Sequence, residues 1–251
     1  MAFGISVPFE RYRQPDDARS TFQIPFGRKR RRSRTSYRYR ASRFARHEPS
    51  ALLLATKRGI DLVGSGIGLL LFLPLLLLIA ATIKLTSPGP VFFRQKRYGY
   101  HNRRFWIYKF RTMYVHLGDS RGTRQTTADD PRITPLGRVL RKSSLDELPQ
   151  LINVFKGDMS LVGPRPHVPG MLAGGMLYEE LTPYYFQRHN MRPGITGLAQ
   201  VSGYRGSTAI SLSAIERLDR DLRYIETWSL ALDVSIIART VVREFMSGSG
   251  D

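Results

Sequence analysis

The stretch Leu62-Val-Gly-Ser-Gly-Ile-Gly-Leu-Leu-Leu-Phe-Leu-Pro-Leu-Leu-Leu-Leu-Ile-Ala-Ala-Thr-Ile83 runs for 22 residues without a charge. As a helix rising about 1.5 Å per residue it would reach roughly 33 Å, enough to cross a hydrocarbon layer of about 30 Å. A helix packed on a soluble core normally keeps a polar face, and this one has none. It is too long and too far from the N-terminus for a secretory signal, and no small-residue cleavage site closes it. Insertion into a membrane is therefore expected.

The flanks constrain how it inserts. Lys57 and Arg58 precede it, whereas Lys84, Arg94, Lys96, Arg97, Arg103, Arg104, Lys109 and Arg111 follow, with no acid between positions 84 and 111. Positive residues favour the cytoplasmic face, so both ends are drawn to the same side. A straight span cannot satisfy both. Pro74, near the middle, removes a helix hydrogen bond and bends the axis, and a helix that enters, breaks and returns relieves the conflict. A kinked but complete span is the alternative, because proline is tolerated in transmembrane helices.

The chain of 251 residues carries 39 Lys and Arg against 20 Asp and Glu, a formal charge of +19, which points to polyanionic partners. The absence of cysteine excludes disulfides, thiolate metal sites and cysteine nucleophiles. Thirteen basic residues and four acids lie in residues 1 to 50, ten of the basic ones between Arg28 and Arg46. So little apolar surface cannot offset the entropy of folding, and residues 1–48 read as a mostly disordered tail. A polybasic run ahead of an apolar segment suits anionic membrane lipids, and no nucleic acid is expected as partner.

Residues 49–86 are then expected to form the membrane helix and residues 87–247 a further domain. Val91-Phe-Phe-Arg-Gln and Arg104-Phe-Trp-Ile-Tyr-Lys-Phe-Arg-Thr-Met read as short aromatic-rich strands, with Lys109 and Arg111 on one face. Residues 118 to 135 read as a polar loop. Leu148, Leu151, Ile152 and Phe155 mark an amphipathic helix closed by Lys156 and Gly157. Its start holds two adjacent carboxylates, Asp146 and Glu147. Asp146 as N-cap would place Pro149 where its missing N–H costs nothing; a Ser144 cap with Glu147 closing a capping box is the other reading. Residues 171 to 186, rich in tyrosine, read as an interfacial helix or as a partly buried cap. A last helix, from about Ser229 to Phe245, carries a stripe of Leu230, Val234, Ile237, Val241 and Phe245 that reads as core. His167 and His189 receive no role.

Around the carboxylates lie Arg141, Arg165 held between Pro164 and Pro166, and Lys109 with Arg111. Together they describe a basic, phosphate-sized pocket. Carboxylates among cations would stay ionised, and could bind a divalent ion or divide into one nucleophile and one metal ligand.

The series Lys57-Arg-Gly-Ile-Asp-Leu, Ser87-Pro-Gly-Pro-Val-Phe-Phe-Arg-Gln, Lys109-Phe-Arg-Thr-Met, Asp130-Pro-Arg-Ile-Thr, Arg141-Lys-Ser-Ser-Leu-Asp-Glu-Leu-Pro-Gln through Gly163-Pro-Arg-Pro, Arg192-Pro-Gly-Ile-Thr-Gly-Leu-Ala-Gln and Asp233-Val resembles the bacterial sugar transferase family. These are monotopic phosphoglycosyl transferases, which move a sugar 1-phosphate from a UDP-sugar to undecaprenyl phosphate. The resemblance implies that Asp146 is the nucleophile, forming an aspartyl phosphosugar intermediate with release of UMP in a ping-pong mechanism. It implies that Glu147 is the Mg²⁺-associated residue and that Arg141 and Arg165 bind phosphate, with Lys109 and Arg111 in a further basic motif. It also implies a re-entrant membrane helix, broken at Pro74, on the cytoplasmic face of the bacterial inner membrane. Leu73 departs from the family pattern, which often has serine before the proline, and leucine offers no hydroxyl to a freed carbonyl. Gly203-Tyr-Arg-Gly206 is similar to members that transfer glucose or galactose 1-phosphate to begin exopolysaccharide synthesis. The expected fold is α+β, mainly helical with a few short strands. A membrane-tethered basic protein binding nucleic acid or anionic lipid without catalysis is the other class of function, and it leaves the carboxylate pair and Gly163-Pro-Arg-Pro unaccounted for.

Overall fold

The computed structural model describes residues 50–118, 126, 130–173, 175–204 and 211–247. The basic tail, most of the polar loop at 118–135, and Arg205 and Gly206 lie outside them. The described residues belong to one compact unit, Pro49–Asp251. It is mainly helical with a few short strands, as expected.

Helix α1 spans Ala51–Thr86 and contains the whole apolar stretch. Ser50 opens it by accepting the Leu53 N–H at 3.3 Å, and the Ser87 N–H closes it on the Ile83 carbonyl at 3.2 Å. It continues as a helix through Pro74. Among the described residues it is the one helix long and apolar enough to cross a membrane. Its middle is bare, with Leu70 75% and Leu71 69% exposed, whereas buried residues lie toward both ends: Lys57, Asp61 and Ser65 at one, Ile79 and Ile83 at the other.

Each end is held by a different device. Lys57 donates to the Asp233 carboxylate at 2.6 Å and to the Val162 carbonyl at 3.1 Å. Asp61 accepts from the Ser160 hydroxyl at 3.0 Å and the Leu161 N–H at 2.9 Å. One turn on, Gly64, Gly66 and Gly68 face the side chains of Leu161, Phe155 and Leu151, so the domain comes close to the helix backbone. At the far end Ile79 and Ile83 pack with Phe110 and Leu140.

Strands β1 (Phe92–Tyr98) and β2 (Arg104–Phe110) form an antiparallel hairpin with Phe93 opposite Lys109 and Gln95 opposite Ile107. Helix α2 (Pro135–Lys142) follows, and Leu140 joins the core at the end of β2. Helix α3 (Gln150–Lys156) ends as expected, with Gly157 at φ 93°. Its start differs from expectation. Leu145–Glu147 form a 3-10 turn, Pro149 precedes the first α-helical residue, and Ser144 stands at φ 56° with no side-chain cap bond. Pro149 cannot donate, and the flanking bonds run from Glu147 to Ser144 and from Leu148 to Leu145, three residues back. The chain tightens there, and neither carboxylate is spent as a cap.

Strand β3 (Ser160–Val162) pairs in parallel with β6 (Gly194–Thr196). Here Arg192-Pro-Gly-Ile-Thr-Gly has a steric meaning. A Cβ at Gly194 would stand 2.0 Å from the Gly163 nitrogen, and one at Gly197 would stand 2.2 Å from the Gly163 carbonyl oxygen. Residues 171–186 contain no interfacial helix among the described residues. They form the short pair β4 (Leu172–Ala173) and β5 (Met176–Leu177) and 3-10 turns whose Tyr178 and Tyr185 are fully buried. Pro183 and Gly175 interrupt any helix.

Helices α4 (Leu198–Val201), α5 (Ser211–Glu226) and α6 (Leu230–Ser247) complete the unit. The expected core stripe of α6 is displaced: Val234 and Val241 are exposed, while Asp233 and Ile236 are buried. Asp233 must face Lys57, and it also accepts from Tyr224 at 2.8 Å and Trp228 at 3.2 Å. That polar requirement turns the helix away from the orientation its apolar residues alone would choose.

Candidate active site

A cavity of about 1280 Å³ joins the hairpin, α2, the 3-10 turn and α1. Asp146, Glu147, Lys109, Arg111, Arg141 and Arg165 all line it, and so do Gly64, Gly68 and Phe72 of α1. All the site residues expected from the sequence except Pro74 therefore meet at one cavity, although they play different parts in it.

Glu147 is fixed. Its Oε1 accepts from Lys109 at 2.5 Å and from Arg165 at 2.6 Å, and its Oε2 accepts from Arg165 at 3.2 Å. Burial alone would raise its pKa, but Arg165 and Lys109 outweigh burial and hold it well below the ordinary glutamate range. Asp146 is its opposite: buried, and without a hydrogen bond or ion pair among the described residues. Burial pushes its carboxyl above the ordinary aspartate range, although Lys109, Arg141 and Arg165 pull the other way. The expectation that cations dominate both groups thus fits Glu147, whereas desolvation outweighs them at Asp146. Two adjacent carboxyls driven apart in this way are suited to different tasks.

Arg141 reaches Thr126 at 3.1 Å and Thr112 at 3.5 Å, so its guanidinium stands at the cavity wall beside hydroxyls. Arg111 is committed elsewhere. Its guanidinium donates to the Pro88 carbonyl at 2.5 Å, to the Ser87 carbonyl and hydroxyl at 2.8 Å each, and to Ile83 at 3.5 Å. Just past the end of β2, it closes the C-terminus of α1, where a cation is favoured by the exposed carbonyls.

Residues 52–247, which take in nearly all of α1, the cavity and α6, match one family model, bacterial sugar transferase. The chain belongs to the bacterial sugar transferase family. It is 51% identical over 197 residues to the exopolysaccharide production protein PSS of Rhizobium leguminosarum bv. phaseoli, covering 78% of this chain and 98% of that protein. To the undecaprenyl-phosphate glucose phosphotransferase of Komagataeibacter xylinus it is 50% identical over 191 residues, 76% of this chain and 36% of that protein. The UDP-glucose:undecaprenyl-phosphate glucose-1-phosphate transferase of Escherichia coli K12 is 46% identical over 191 residues, 76% of this chain and 40% of its own length. The chain therefore spans well under half of these last two relatives.

Within this sugar transferase site, the oxygens suited to a divalent ion are few. Glu147 Oε1 already accepts two bonds, which leaves capacity on Oε2 and on the Asp146 carboxylate. No group of three or more His, Cys, Asp or Glu side chains gathers among the described residues. This donor set fits Mg²⁺, which keeps several waters and needs only one or two carboxylates beside substrate phosphates.

Sequence reasoning missed the arginines behind the site. Arg97 and Arg188 hold the Gly163-Pro-Arg-Pro segment from below, donating to the Pro166 carbonyl at 3.2 Å and the Arg165 carbonyl at 2.6 Å. Neither lies in a motif that stands out by spacing; Arg188 comes just after the tyrosine-rich stretch read as a cap. The histidines stay structural. His167 shares a hydrogen bond with Tyr185 at 3.2 Å and His189 one with Asn102 at 2.5 Å. Burial depresses both, His189 to about 3, so each is neutral near pH 7.

Proposed function

We propose that this sugar transferase moves a hexose 1-phosphate, glucose or galactose 1-phosphate, from a UDP-sugar to undecaprenyl phosphate, the first membrane step of exopolysaccharide or related glycan synthesis. The observation that carries the reading is the division of the pair: Asp146, buried and unbonded among the described residues, beside Glu147 fixed by Lys109 and Arg165.

Asp146 attacks the sugar-bearing phosphorus, a new carboxyl oxygen to phosphorus bond forms, and the phosphoanhydride bond to UMP breaks. UMP leaves with the bridging oxygen. An oxygen of undecaprenyl phosphate then attacks the same phosphorus, restoring the Asp146 carboxylate and giving undecaprenyl-diphosphate sugar. Arg141, Arg165 and Lys109 orient the phosphates and offset their charge, which is most of what phosphoryl transfer asks of a protein. Glu147 would be the residue to hold Mg²⁺, which when bound would supply further neutralisation of the phosphoryl oxygens. Arg111 is assigned to shaping the site by closing α1, in view of its bonds to Ser87 and Pro88.

A re-entrant α1 is supported by the packing of both its ends against the same unit. Lys57 and Asp61 at one end and Ile79 and Ile83 at the other contact elements that follow α1 in sequence, while the middle is bare. With the positive flanks, this favours a catalytic domain on the cytoplasmic face of the inner membrane. Incubating the protein with undecaprenyl phosphate, Mg²⁺ and a panel of UDP-sugars and measuring UMP tests the reading. UMP is expected from a UDP-hexose, and Asp146→Asn is expected to abolish it. Undiminished turnover in that variant rules out Asp146 as nucleophile.

A further inference from the structure

Arg165 is the cation shared between Glu147 and the cavity, and it sits on a segment with almost no freedom. Four successive carbonyls are taken up: Pro164 by the Gly194 N–H at 3.0 Å, Arg165 by Arg188 at 2.6 Å, Pro166 by Arg97 at 3.2 Å and His167 by the Tyr98 N–H at 3.1 Å. The first and last come from neighbouring backbone. The middle two require arginine side chains brought in from outside.

Arg188 is the costlier of these. It is 1% exposed, it pairs with the equally buried Asp221, and the same Nη2 donates to Asp221 and to the Arg165 carbonyl. Its guanidinium stands 5.6 Å from the Tyr185 ring centre, and its Nε and Nη1 are buried without a hydrogen-bond partner. A buried ion pair with unsatisfied donors is a poor way to stabilise a fold; apolar side chains of similar volume would serve as well or better. Its location supplies the better reason. Arg188 donates to the carbonyl of the arginine that grips Glu147.

We propose that Arg188, anchored by Asp221, is a positioning residue of the phosphotransfer site. It acts through the Arg165 backbone to hold the Arg165 guanidinium on Glu147. The inference rests on the proposed function for its kinetic readout, and a second readout is independent of turnover.

The decisive variant is Arg188→Met with Asp221→Leu, which removes both charges together so that neither is left buried alone. Arg188→Lys is its companion, keeping a charge against Asp221 while its single nitrogen is drawn to the carboxylate and away from the carbonyl. Each is assayed for UMP release with UDP-glucose and undecaprenyl phosphate, in the native chain and in an Arg165→Ala background. A misplacement of about 1 Å can cost on the order of 10²-fold, and a loss of that order in kcat, with KM for UDP-glucose nearly unchanged, is expected in the native background. No further loss is expected beside Arg165→Ala. Unchanged turnover in the native background, or an equal loss in both, overturns the proposal. Labelling of Arg165 by phenylglyoxal, followed by mass spectrometry, is expected to quicken in both variants as the grip on Glu147 loosens. An unchanged labelling rate also overturns it, and this holds whether or not the wild-type chain releases UMP; absence of that release counts against the proposed function alone.

Discussion

At the scale of single residues, Asp146 and Glu147 differ more than their adjacency in sequence would suggest. Burial raises Asp146, whereas Arg165 and Lys109 overcome burial at Glu147 and lower it. In the proposed mechanism the ionised Asp146 is the reactive form, so kcat/KM should fall as pH drops through a value above the ordinary aspartate range of about 3.9. Arg141→Gln removes one of the cations that counter burial, and its acid limb should move to higher pH; a limb that stays in place would dissociate Arg141 from Asp146. For stability the sign at Glu147 is opposite. Its lowered folded value adds stability above the unfolded carboxylate range, and this is lost as pH falls through the folded value. Lys109→Met should therefore narrow the difference in melting temperature between pH 7 and pH 3, as followed by circular dichroism. The carboxylate pair and its cations were legible in the sequence as residue types. That burial prevails at Asp146 and ion pairing at Glu147 was not, because it depends on how deeply each is enclosed and on which oxygens are already occupied.

At the scale of elements, aromatic-rich composition foretold the two strands of the hairpin, and apolar periodicity foretold α3 but misjudged α6. The stripe through Val234 and Val241 is exposed because Asp233 turns inward to Lys57, and no local pattern shows a partner 176 residues away. Asp233→Asn would leave Lys57 buried without its counter-charge, and a loss of roughly 3 to 5 kcal/mol is expected in chemical unfolding. Replacing both by apolar residues should cost much less. The Gly163 and Gly194 contact is equally unforgiving. A methyl group at Gly194 would meet backbone, which cannot swing aside, so Gly194→Ala should destabilise by about 3 kcal/mol or more and lower UMP release with it. Gly194→Ala with wild-type stability would mean that β3 and β6 can separate at little cost. Family resemblance pointed to Arg192-Pro-Gly-Ile-Thr-Gly as important; only the approach of two backbones explains why it contains glycine.

At the scale of the whole molecule, charge and hydropathy were the most informative features of the sequence. They identified α1, and its 36 residues would extend about 54 Å if straight, far more than a hydrocarbon layer of about 30 Å requires. What they could not show is that residues near both of its ends are packed into the domain. The chain has no cysteine, so single cysteines placed at Ser50 and Arg103 can report topology without background. Both should react with an impermeant maleimide from the same side of sealed vesicles. Reaction from opposite sides would establish a complete span.

The wall of the cavity also bears on how the protein can be handled. Gly64, Gly68 and Phe72 line the same space as Asp146, and α1 meets the domain there through Leu161, Phe155 and Leu151. A detergent that intrudes along this seam would open the cavity while leaving Asp146 itself intact. Loss of activity on solubilisation would then measure the seam, and nanodiscs are the setting in which variants of the chemical groups can be compared on equal terms.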